Sequence, residues 1–344
     1  MLTGCYTALV TPFDGNGVDE KGLDALLDFQ VEAGVKGVLA VGTTGESPTL
    51  SWSEHNRVVE MTAGKCKGRC QCIAGTGSNN TREALEGTKH AAKAGVQAVL
   101  LVDPYYNGPS SLEIRREYVE PVAKAFPGIF IIPYVIPGRT GAQLLPQDIG
   151  ILAEKFKNVS AVKEATGNLE NMRLTRAITG DDFAILSGDD DKTLAMMADS
   201  GIRAGGVVSV MSNIAPKAVV EMVTAARQGD MKKAERLQQA LKPLFGLVTV
   251  TTTEESPHGP VNCRARNPLP IKTIMAILGM PGGGCRQPLG KMTKKGLDAV
   301  VSALGQVWRE NPEILQPAAD FFKIDISARL NDPSLLEGLA YSSY

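Results

Sequence analysis

Ala98-Val99-Leu100-Leu101-Val102-Asp103-Pro104-Tyr105-Tyr106-Asn107 joins five apolar residues to a polar, proline-bearing loop, and the pattern recurs along the chain. An apolar run this short and without alternating polar residues reads as a β-strand covered on both faces. Residues 5–10, 37–41, 71–74, 129–132, 159–162, 184–186 and 205–210 read the same way, each followed by glycine, proline or small polar residues. Between them, residues 21–33, 53–63, 81–94 and 111–126 carry apolar side chains three and four apart, the spacing of helices that cover a sheet. Ser53 before Glu54, and Asn80-Thr81 before Glu83, supply capping oxygens and first-turn carboxylates for two of those helices.

Eight strand-helix units at a spacing of roughly thirty residues predict an α/β fold, a closed parallel TIM (β/α)8 barrel. An open doubly wound sheet is the competitor, but no GxGxxG turn follows the first strand and the pattern shows no reversal. After Asn213-Ile214-Ala215-Pro216 the strand signal ends, and residues 217–227, 231–245, 270–278 and 294–310 read as helical. The chain therefore divides into a barrel over residues 1–228 and a C-terminal helical region with an extended tail over 229–344. Gly282-Gly283-Gly284 lacks the lysine and hydroxyl of a phosphate loop and reads as a plain linker. The last segment, with Pro312, Pro317 and Pro333, is expected to wrap the surface or a partner subunit, and the sequence leaves both open.

A chain of 344 residues with 43% hydrophobic and 21% charged content can bury a large core. Thirty-six basic against thirty-seven acidic residues create no global field for nucleic acid or an anionic membrane, so neither partner is expected. No apolar stretch approaches the roughly 18–20 residues of a membrane helix, and no basic region precedes the first apolar run, so the expected address is the cytoplasm. The six cysteines are too dispersed for a disulfide framework. Cys66, Cys70 and Cys72 lack CxxC spacing, and His55, His90 and His258 lie too far apart in sequence for a zinc set, so no metal is expected.

In a parallel barrel, residues just after the strands meet around one mouth. Lys163 closes the run Val159-Ser160-Ala161-Val162, where an apolar wall disfavours its ammonium and releases a nucleophilic amine. Gly42-Thr43-Thr44-Gly45-Glu46-Ser47 offers backbone amides and two hydroxyls to an anion. Tyr105, Tyr106 and Tyr134 bring phenols able to relay protons, and Arg139 brings a bidentate carboxylate clamp. Ser187-Gly188-Asp189-Asp190-Asp191 reads as the cap of the next helix rather than a metal site. An amine, phenols and an anion cradle together describe Schiff-base carbon-carbon chemistry on a keto acid, as in a class I aldolase.

Seven separate signatures also occur in order: Gly42-Thr43-Thr44-Gly45-Glu46, Gly75-Thr76-Gly77-Ser78-Asn79, Pro104-Tyr105-Tyr106-Asn107, Tyr134 with Pro137-Gly138-Arg139-Thr140-Gly141, Val162-Lys163-Glu164, Leu186-Ser187-Gly188-Asp189-Asp190 and Asn267-Pro268-Leu269-Pro270-Ile271-Lys272. With these the chain resembles the dihydrodipicolinate synthase and N-acetylneuraminate lyase family across roughly residues 2–293. The resemblance implies that Lys163 forms an imine with pyruvate, that Thr43 and Thr44 hold the carboxylate end and join a proton relay, and that Tyr134 is the main proton donor and acceptor. Tyr106 matches a tyrosine that reaches into a neighbouring subunit's site, implying a homodimer or homotetramer. Backbone at Val208 would line the pyruvate pocket. Arg139 matches the synthase-branch arginine that receives the carboxylate of L-aspartate-4-semialdehyde, which implies formation of 4-hydroxy-tetrahydrodipicolinate in lysine and diaminopimelate biosynthesis. The imine nitrogen is the electron sink, so no added cofactor is expected. Ser47, Trp52, His55, Asn79, Glu83 and Tyr105 resemble the lysine-binding positions of feedback-inhibited synthases.

Val135 stands where the synthases usually carry asparagine, Asp103 where threonine is common, and Pro48 replaces a small residue. Residues 251–266 and the tail beyond about residue 294 exceed the usual family length. These departures keep two alternatives in view: another pyruvate-imine lyase, hydratase-aldolase or sugar-acid dehydratase of the family, and a non-enzymatic regulatory homologue.

Overall fold

A computed structural model describes residues 2–344. Eight parallel strands close on themselves: β1 Gly4–Ala8, β2 Gly37–Ala40, β3 Gln71–Gly75, β4 Ala98–Val102, β5 Phe130–Val135, β6 Ala161–Glu164, β7 Ala184–Ser187 and β8 Gly206–Ser209. Closure is made at β1, where Tyr6 pairs with Gly37 of β2 on one side and Val208 of β8 on the other. The expected TIM barrel is therefore the fold.

Strand parity explains why the runs do not alternate. Tyr6, Leu39, Ile73, Leu100, Ile132, Leu186 and Val208 fill the barrel interior. Their sequence neighbours Cys5, Val38, Val99, Ile131, Ile185 and Val207 point outward into a second apolar layer beneath the helices. Helices Glu20–Glu32, Trp52–Cys66 and Thr81–Lys93 are among those covering it. The second of these is capped by Ser51 rather than Ser53: Ser51 accepts from the Glu54 amide while Glu54 reaches back to the Ser51 amide, a capping box that puts Ser53 inside the helix.

Three expectations for the C-terminal half need correction. The strand signal does not end at residue 216, because β9 Thr249–Ser256 and β10 Gly259–Arg266 form an antiparallel hairpin. Only one face of this ribbon packs inward, so its threonine-rich sequence shows none of the apolar runs that mark barrel strands. The tail is not extended. It forms the short helices Gln316–Phe322 and Ile326–Leu330, with Phe321 and Phe322 stacked 5.2 and 5.1 Å from Phe29 on the first barrel helix. Gly283 is more than a linker: at φ +65° a Cβ would sit 2.1 Å from the Phe13 carbonyl oxygen, so only glycine allows this approach. Among the described residues no helix is long and apolar enough to cross a membrane.

Candidate active site

Lys163 is the third of the four residues of β6, one residue before the strand's end rather than at it, and it faces the interior beside Tyr134 across the β5–β6 pairing. Its side chain is buried, with Nζ 4.0 Å from the centre of the Tyr134 ring. Burial disfavours the ammonium and brings the amine from 10.5 down to about 8, with Asp189 and Asp190 pulling upward and Arg139 assisting the fall. Gly188 makes room for it, since a Cβ there would lie 3.2 Å from Lys163 Cε and 2.7 Å from Ala165 Cβ. Burial of the Tyr134 phenol raises its pKa, while the Arg139 charge and a polar contact from Thr43 work against that rise.

The turn after β2 starts with Val41 at φ +47°, a strained conformation for a β-branched residue. Its far end is held by Glu46, which forms a fully buried ion pair with Lys272 at 2.5 Å and accepts the Arg286 amide at 2.9 Å. Lys272 Nζ also lies 4.0 Å over the Phe13 ring. The amides of Glu46 and Ser47 are taken up inside the turn by the carbonyls of Thr43 and Gly42. Thr44 is buried and its hydroxyl accepts from Asn267 Nδ2 at 2.9 Å, so its own proton remains to be donated.

Arg139 sits on the helical turn Pro137–Thr140 and donates to the Asn267 carbonyl at 3.0 Å. Burial and the neighbouring Arg266 lower its pKa. Thr43, Tyr134 and Arg139 line one cavity of about 440 Å3 together with Ser47, Trp52, His55, Glu83 and Tyr105. The remaining candidates lie off its surface. Lys163 packs against the Tyr134 ring, Val208 is buried in the barrel interior, and Asn79 Oδ1 accepts the Tyr105 amide at 2.6 Å. Tyr106 is 88% exposed and stands clear of the cavity. His55 is buried with Nε2 3.0 Å from the Gly75 carbonyl, so Nε2 carries the proton and burial keeps the ring neutral.

Several residues that shape this site were given no part in it by sequence reasoning, which took them as a helix cap, as members of a motif or as a departure from the family pattern. The aspartates after β7 do not cap the following helix with their side chains. Instead, Asp190 accepts the amides of Val210 and Met211 at 2.9 and 3.1 Å and the Ser209 hydroxyl at 2.5 Å, tying β7 to β8. Asp189 is partly buried beside Lys163 and its carboxyl is pushed up to about 6, mainly by burial. Asp103 faces away from the mouth, beneath the helices; burial lifts it to about 8, eased by the Leu144 amide and reinforced by Glu164. Asn267 braces two mouth loops at once, through its carbonyl to Arg139 and its amide to Thr44. Among the described residues no group of three metal-ligating side chains occurs.

A parallel barrel with an amine, a phenol and an arginine gathered near the carboxyl ends of its strands has the layout of a barrel enzyme. The chain belongs to the dihydrodipicolinate synthetase family, whose sequence profile matches residues 1–307. It is 40% identical over 310 residues to the 4-hydroxy-tetrahydrodipicolinate synthase of Methanocaldococcus jannaschii, covering 89% of this chain and all of that one. The chloride-inhibited dihydrodipicolinate synthase of Acinetobacter baumannii, solved complexed with pyruvate, superposes with a TM-score of 0.80 at 33% identity, covering 89% of this chain and 99% of that one. The dihydrodipicolinate synthase of Cyanidioschyzon merolae, solved with lysine bound, gives 0.80 at 35% identity, covering 89% and 98%. The protein is thus an enzyme, a lyase similar to 4-hydroxy-tetrahydrodipicolinate synthase.

Proposed function

We propose that the enzyme condenses pyruvate with L-aspartate-4-semialdehyde to give 4-hydroxy-tetrahydrodipicolinate, through an imine on Lys163. The observation that carries this reading is the Lys163 amine, buried against Tyr134 with its pKa lowered to about 8. At pH 7 roughly one amine in ten is then a free base, against fewer than about one in a thousand for an ordinary lysine.

Lys163 attacks the pyruvate carbonyl and water leaves, giving a protonated imine. Loss of a methyl proton pushes the electron pair toward the imine nitrogen, and the enamine carbon attacks the aldehyde. The amino group of the second substrate then displaces Lys163 as the ring closes. Tyr134, in contact with Thr43, is the relay for the protons, and Tyr106, exposed here, is offered to the site of a neighbouring subunit in a homodimer or homotetramer. Thr44 holds the pyruvate carboxylate with its free hydroxyl proton, backbone at Val208 lines the pyruvate pocket, and Arg139 receives the aldehyde's carboxylate. The electron sink is the imine itself, so no added cofactor takes part.

Borohydride reduction with pyruvate, followed by mass spectrometry, tests the reading. A single adduct on Lys163 is expected, and labelling elsewhere or nowhere would refute it. The cavity wall formed by Ser47, Trp52, His55, Glu83 and Tyr105, with Asn79 behind it, is the proposed seat of L-lysine inhibition. Calorimetry finding no lysine binding at millimolar concentration would end that part.

A further inference from the structure

The β9–β10 hairpin brings a second and a third guanidinium near Arg139, just outside the wall of the mouth cavity. Arg264 and Arg266 are two apart on β10, opposite Thr251 and Thr249, so their side chains leave the ribbon on one face. The residues between them in this ladder, Val250 and Ala265, pack against the core on the other face. Arg266 Nη1 donates to the Gly138 carbonyl at 3.2 Å, while Arg139 Nη2 donates to the carbonyl of Asn267, next to Arg266. The two arginines thus lace the hairpin base to the turn carrying Arg139, each on the carbonyl of the other's neighbour in sequence.

This arrangement sets like charges together. Arg266 and Arg264 both disfavour the positive charge of Arg139, Arg264 disfavours that of Arg266 as well, and Arg266 lies close enough to act on the Tyr134 phenol. Among the described residues none of the three forms an ion pair within 4 Å. Hairpin Glu254 does not compensate them, since it faces Lys295 at 3.7 Å. Adjacent, part-buried guanidiniums without a carboxylate destabilise the empty site and favour an anion that bridges them.

We propose that Arg266 joins Arg139 in a two-guanidinium receptor for the carboxylate of the second substrate, making the hairpin a specificity element, with Arg264 at the rim drawing the anion in. This rests on the pyruvate-imine reading and adds a residue to it. Arg266 is a substrate-binding residue: it holds the aldehyde's carboxylate so that the aldehyde faces the enamine, and it takes no part in bond making.

Steady-state kinetics of Arg266→Gln with L-aspartate-4-semialdehyde test the proposal. Loss of one charge-assisted hydrogen bond should raise the KM for the aldehyde about tenfold or more, with the KM for pyruvate within about twofold of wild type. Arg266→Lys should recover part of the loss, and added salt should weaken aldehyde use less in Arg264→Gln than in wild type. An unchanged aldehyde KM overturns the proposal. So does an equal rise in the pyruvate KM, which would mark Arg266 as a structural brace only. Borohydride trapping with pyruvate alone separates the two levels: an adduct on Lys163 in wild type and Arg266→Gln with unchanged aldehyde KM sinks only the receptor, whereas no adduct in wild type sinks the imine reading beneath it.

Discussion

Replacing Lys163 with methionine should stabilise the protein while abolishing imine formation. The native amine is held at about 8 against an ordinary 10.5, and that displacement corresponds to about 3 kcal/mol. Below pH 8 folded and unfolded chains both carry the proton, and the folded one bears the full burden of a buried ammonium. Between pH 8 and 10.5 the folded state has released its proton and the unfolded state has not, so wild-type stability climbs with pH across this window. Above 10.5 both are neutral and the burden is gone. Methionine has a similar length and no charge, so Lys163→Met should exceed wild type by about 3 kcal/mol at pH 7, and the gap should close as pH rises through 8 toward 10.5. Urea unfolding of both proteins at pH 7 and 10 measures it, with borohydride trapping alongside as the check on chemistry. A variant no more stable at pH 7, or a gap that ignores pH, would refute the claim that burial activates this amine.

Arg139→Ala should leave pyruvate trapping on Lys163 intact while raising the KM for the aldehyde at least tenfold, roughly the loss of a charged hydrogen bond, read by steady-state kinetics. Lys272→Met strands Glu46 in a fully buried position and should destabilise by about 3–5 kcal/mol in thermal or urea melts, whereas adding Glu46→Gln to it should recover much of the loss. Asp103 has a folded pKa raised to about 8, so wild type loses stability as pH climbs from 3.8 toward 8; Asp103→Asn removes that burden and should be more stable at pH 7 by a few kcal/mol, with the gain vanishing near pH 4 in paired unfolding curves.

The barrel was legible because each strand is buried on both faces, and burial on both faces leaves an apolar run that no loop imitates. Val99 and Leu100 point in opposite directions, yet both meet carbon, so the sequence at β4 carries the whole signal. The hairpin escaped the same reading for the opposite reason. One of its faces is wet, its first strand is written in threonine and glutamate, and it stands apart from the barrel as a two-stranded ribbon whose strands pair only with each other. The tail escaped because its helices are five to seven residues long, too short for a periodicity, and are held by contacts such as Phe321 and Phe322 on Phe29, nearly three hundred residues away in sequence.

At the site, what sequence shows is which groups reach the mouth, and what it hides is the field they share. Lys163 stands out by its apolar neighbours, and burial, the largest influence on its pKa, is a property those neighbours announce. The opposing charges come from Asp189 and Asp190, some twenty-six residues further on, whose aspartate run looks like a helix cap until Asp190 is seen holding the amides of Val210 and Met211. That anchoring matters for the amine. A buried carboxylate fixed by three donors resists moving toward Lys163, so it raises the lysine's pKa only modestly and leaves desolvation to dominate. The cation on the other side behaves alike: Arg139 is locked on the Asn267 carbonyl. The amine is therefore poised between Asp190 and Arg139, each immobilised by backbone, and its free-base fraction, governed first by burial, is trimmed by positions that only the closed barrel creates.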